Sequence, residues 1–145
     1  MNRSGYVDYD DEEDPLAMGR YRNAVKEAIQ GKRGQAFLNE LAIEMDAMEE
    51  KILIAGELID EYGDCCAIGV VCKSRGIDVS ETDPQEPDEV AELVGIASSM
   101  AAEIEFWNDD DFAFDSQETP SQRWKRVRKW VDDQIIKTSE VESRS

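Results

Sequence analysis

Three cysteines, Cys65, Cys66 and Cys72, fall within eight residues, and the chain of 145 residues contains no histidine. Thiolates can act as nucleophiles or as zinc ligands. A structural zinc site needs four donors, usually in C-x-x-C pairs. Here a carboxylate would have to supply the fourth, and the pairing is missing. An odd count with two adjacent members is also a poor disulfide framework. The expectation is three reduced, buried thiols acting as small apolar side chains, with no cofactor. A second candidate is the acidic loop Asn108-Asp109-Asp110-Asp111-Phe112-Ala113-Phe114-Asp115. Its oxygens suit a hard cation. It lacks the glycine at the sixth position and the glutamate at the twelfth that an EF-hand uses. A solvated loop is expected, and a metal-dependent enzyme using residues 108–115 is kept as an alternative. The basic turn Gly31-Lys32-Arg33-Gly34 is the third. It lacks the G-x-x-x-x-G-K-[ST] form of a phosphate loop and follows no apolar strand, so an inter-helix turn is expected.

Charge narrows the function classes further. The chain has 34 acidic and 16 basic residues, for a net charge of −18. Such a balance repels nucleic acid and anionic membranes and attracts basic surfaces. Residues 81–119 hold thirteen acids and no Lys or Arg. The stretch Val90 to Ile96 has the outline of a helix-turn-helix, but a recognition helix must neutralise phosphates. An αα-hairpin is therefore expected there. The partner-binding candidates are the acids on regular segments, Asp46, Glu49, Glu57, Glu92, Glu103 and Glu105, together with Asp109, Asp110 and Asp111. The implied partner is a protein with a basic surface. Nucleic-acid binding through the basic residues 123–129 is the remaining alternative.

The elements that position these groups read as helices. The apolar run from Asp64 to Ile77 must be buried, and the amphipathic segments should pack around it. Its pattern favours a helix ended by Gly76, although Gly69 weakens it by about 1 kcal/mol relative to alanine. Asp14 reads as a cap before Pro15, with a helix over 15–30 that presents Tyr21, Val25, Ala28 and Ile29. Residues 35–49 place Phe37, Leu38, Leu41, Met45 and Met48 on one face. Residues 52–60 are ambiguous, and a short β-hairpin is possible there, with an α+β fold as the alternative. After a loop at 78–87, helix starts at Asp83-Pro84 and Glu86-Pro87 are both plausible. Ile96, Met100, Ile104 and Trp107 form a further pattern. Thr119, Pro120 and Gln122 make a capping box. Trp124, Val127, Val131 and Ile135 follow as a stripe, with Trp130 beside it and partly exposed. The stripe should meet Phe37, Leu41 and the cysteine-bearing segment. The expectation is a mainly α single domain of about five helices over 15–137, with flexible tails at 1–14 and 138–145.

No apolar stretch approaches the roughly 18 residues of a membrane span, and the N-terminus has no apolar h-region. A cytoplasmic protein is expected.

Several motifs taken together carry a resemblance. They are Gly31-Lys32-Arg33-Gly34-Gln35-Ala36-Phe37-Leu38, Cys66-Ala67-Ile68-Gly69, Gly95-Ile96-Ala97, Ala102-Glu103-Ile104, Asn108-Asp109, Glu118-Thr119-Pro120, Arg123-Trp124 and Trp130-Val131. Across most of residues 19–136 the chain resembles a family of small phage and prophage proteins of unknown function. The resemblance implies a phage-encoded accessory protein in the host cytoplasm, of the anti-defence or host-takeover kind, acting by binding and inhibiting or modulating a host protein. Mimicry of nucleic acid is one route by which an acidic protein achieves this.

Overall fold

Each amphipathic segment needs a partner for its apolar face, and in the computed structural model helices supply all of them. Residues 15–109 and 118–136 are described. They form α1 (Pro15–Gln30), α2 (Lys32–Ala47), α3 (Ala67–Arg75), α4 (Pro87–Val94), α5 (Ser98–Asp109) and α6 (Pro120–Gln134). The fold is mainly α, and one core cluster runs through all six helices. The six helices fit the expected mainly α domain of about five, and Gly95, at φ +76°, stops α4 and turns the chain into α5. These two helices pack against each other as an αα-hairpin. The expected tails at 1–14 and 138–145, and the Asp14 cap, lie outside the described residues.

The cysteine helix α3 packs against α2, α5 and α4. Ile68, Val71 and Cys72 are fully buried. Helix α6 packs mainly against α2 and α5. Val127 and Val131 therefore share the core with Phe37 and Leu41 as expected, while the cysteine segment is not a main neighbour of α6. Trp130 is 7% exposed, not partly exposed, because its ring stacks on Trp107 at 5.6 Å between centroids. The capping box forms: the Thr119 hydroxyl accepts from the Gln122 N–H, and the Gln122 side chain accepts from the Thr119 N–H.

Two expectations are corrected. Helix α2 starts at Lys32, not at 35, because the Gly31 backbone alone reverses the chain. Residues 52–60 do not form a hairpin. Among the described residues the only strand-like pairing is an isolated antiparallel bridge, Ile59 to Cys65. Gly56 (φ +85°) and Gly63 (φ +83°) curl the segment away from an extended ladder. Its polar backbone is satisfied piecemeal instead. Ile54 N–H donates to the Cys65 carbonyl, Cys66 N–H to Leu58, and Leu53 N–H to Pro120. The α+β alternative falls with the hairpin.

Two glycines are required by close approach. A Cβ on Gly34 would sit 2.0 Å from the Ala28 carbonyl oxygen, so glycine lets α2 fold back against the last turn of α1. A Cβ on Gly69 would sit 1.9 Å from the Leu58 carbonyl oxygen, where the irregular segment crosses α3. Far from weakening the core segment, Gly69 is what lets it pack.

Candidate partner-binding face

Helix α2 ends at Ala47 because Met48 leaves helical geometry. Lys51 closes the exposed end by donating to the carbonyls of Asp46 (2.7 Å) and Met48 (2.6 Å), where a cation is favoured. Between this end, the 48–66 segment and α3 lies a cleft of about 390 Å³. Glu44, Glu49, Glu50 and Asp64 line it above Met48, Ile52 and Val70. No cation among the described residues pairs with any of the four carboxylates. Lys73 also lines the cleft, but its ammonium donates to the Gly63 carbonyl at 2.9 Å. Unpaired carboxylates over an aliphatic floor suit a Lys or Arg side chain, whose stem lies on the floor while its head meets the acids.

The nine acids expected to bind a partner are not brought onto one face. Glu49 lies at this cleft. Glu57 and Glu92 are exposed, on the irregular segment and on α4. Asp46 is engaged by Arg128 through bonds of 2.9 and 3.0 Å, which hold its carboxyl below the usual range. Glu103 accepts from the Trp107 indole N–H. Asp109 accepts from the Asn108 amide and the Gly56 N–H. Glu105 is 7% exposed and cannot meet a partner as the protein stands, which removes it from the list. It sits on the face of α5 turned to the core. Asp110, Asp111 and the rest of the loop to residue 117 lie outside the described residues. Sequence reasoning missed Glu44, Glu50 and Asp64. Their signal was position, since Glu44 and Glu50 bracket the α2 end and Asp64 precedes the buried run.

The basic pole of α6 is largely engaged internally. Arg123 donates to the Asn108 carbonyl at 2.8 Å and lies 3.6 Å from Glu118. Arg126 pairs with both Glu118 oxygens and with the Trp107 carbonyl. Arg128 pairs with Asp46, and Lys129 lies 3.3 Å from Asp133. The three arginines fasten α6 to its neighbours and Lys129 pairs within the helix, which leaves few cations on residues 123–129 for phosphates.

The cysteines are free and buried. Cys66 caps α3, its sulfur accepting from the Gly69 N–H at 3.4 Å. Burial pushes all three thiols up, Cys72 to about 11. They are therefore protonated at neutral pH and poor nucleophiles. Burial, with Asp109 and Asp83 nearby, pushes Glu105 up to about 8. Among the described residues no group of three or more Cys, Asp and Glu is arranged to hold a metal ion. No helix among them is long and apolar enough to cross a membrane. Comparison with known proteins found no matching family model, no matching curated protein and no matching solved structure.

Proposed function

We propose that this chain is a phage-type acidic accessory protein that binds a basic surface on a host protein and thereby inhibits or modulates it. The observation that carries the proposal is the cleft at the end of α2, where Glu44, Glu49, Glu50 and Asp64 stand over Met48, Ile52 and Val70 without cationic partners among the described residues. A basic protein would insert a Lys or Arg there, and its other cations would meet the exposed acids around it. Occupying groups that otherwise hold phosphates is one way to block a nucleic-acid-binding host factor. The net charge of −18 would steer the encounter and make it sensitive to salt.

The test is capture from a bacterial host lysate by the wild-type protein and by the variant Glu44→Lys/Glu49→Lys/Glu50→Lys, at low and moderate salt. The expected result is a basic protein held by the wild type, released as salt rises, and absent from the variant. Equal capture by both, or capture by neither, would remove the cleft as the binding face.

A further inference from the structure

We propose that the acidic N-terminal stretch, residues 1–14, docks back onto the groove between α1, α5 and α6. This groove encloses about 580 Å³ and shares no lining residue with the cleft on α2. Val25, Ile29 and Trp130 form its floor, and Trp107 stacks on Trp130. Arg22 and Lys26 stand on the α1 side, both exposed. No carboxylate among the described residues pairs with either. The acids across the groove already have partners: Glu103 accepts from Trp107, and Asp133 pairs with Lys129. With Asp133 paired to Lys129, Arg22 and Lys26 stand against the single Glu103 carboxylate, so the groove keeps a net positive charge in a protein whose total is strongly negative.

An acidic segment carrying aromatic side chains fits such a place, because its carboxylates can meet the two cations while its rings cover the apolar floor. Residues 1–14 have this composition. Tyr6, Val7 and Tyr9 are followed by Asp10, Asp11, Glu12, Glu13 and Asp14, and the stretch has a net charge of −5. The reach also agrees. Along α1, Arg22 and Lys26 lie about 10 and 16 Å from Pro15, at 1.5 Å per residue. An extended chain covers about 3.3 Å per residue, so a stretch of fourteen residues has the length to reverse before Pro15 and reach both cations. Docked there, the stretch neutralises α1 and leaves the α2 cleft open for a partner.

The test uses the full chain with a nitroxide on Ser4→Cys, the native thiols being buried, and reads NMR signals of the groove. The expected result is loss of the Trp130 indole and Ile29 methyl signals at low salt. Those signals should return in Arg22→Glu/Lys26→Glu, and also when salt shortens the screening length to about 3 Å. Intact signals at low salt would overturn the proposal, as would equal loss in the charge-reversed variant. Equal loss when nitroxide-bearing and isotope-labelled chains are separate molecules would also overturn it, and would assign the groove to the stretch of a second copy.

Discussion

The Asn108 side chain accepts the Ala67 backbone N–H at 2.9 Å, closing the start of α3 from a helix forty-one residues away. The same amide donates to the Ile54 carbonyl at 2.8 Å. One buried side chain thus satisfies both a helix terminus and the irregular segment that crosses it. Asn108→Ala leaves two backbone groups without partners in the interior. It should cost about 2–6 kcal/mol, at the usual 1–3 kcal/mol per stranded buried group. Urea denaturation of wild type and variant measures this directly.

Gly69→Ala tests whether helix propensity or packing governs α3. In an exposed helix the change would stabilise by about 1 kcal/mol. Here the added methyl meets the Leu58 carbonyl oxygen at 1.9 Å, and backbone must move to admit it. We expect destabilisation of about 3 kcal/mol, at the upper end for an overpacked core, seen as a lowered denaturation midpoint. A gain in stability would show that the 48–66 segment is not held against α3.

Glu105 should make stability fall as pH rises. Its folded value, about 8, lies above the ordinary 4.5. Between those two values the folded protein keeps a proton that the unfolded chain has released. Stability therefore declines across that window by at most about 1.4 kcal/mol per pH unit, and this contribution is level outside it. Glu105→Gln should flatten the decline. Denaturation midpoints of the two proteins across the window give the comparison, and parallel curves would contradict the assignment.

The Arg128 and Asp46 pair joins α6 to α2 with good geometry, but the Asp46 side chain is 55% exposed. An exposed pair contributes about 0.2–1 kcal/mol. A double-mutant cycle with Arg128→Gln and Asp46→Asn should return a coupling in that range. The sign with pH is opposite to that of Glu105. Arg128 lowers the Asp46 value, so the contribution is present above the ordinary carboxylate range and lost as pH falls below it.

The helices were legible in the chain because their causes are local. The three-and-four spacing of Phe37, Leu38, Leu41 and Met45, the Thr119 to Gln122 capping box, and the stops at Gly76 and Gly95 each act within a few residues. The absence of histidine and the acidic balance likewise set class and charge without any fold. Residues 52–60 were not legible, because a short branched run suits strand or helix equally until its surroundings choose.

Tertiary structure alone decided which polar groups face a partner. Glu105 and Glu103 look alike in sequence, yet α5 turns one toward the core and engages the other with an indole. Arg123, Arg126 and Arg128 look like a phosphate-binding pole until their partners come from Asn108, Trp107, Glu118 and Asp46. Gly34, Gly69 and Asn108 gained their roles only when distant backbone came close to them. Periodicity is a short-range property of the chain, whereas the charge left free at a surface depends on which distant groups folding brings within hydrogen-bond reach.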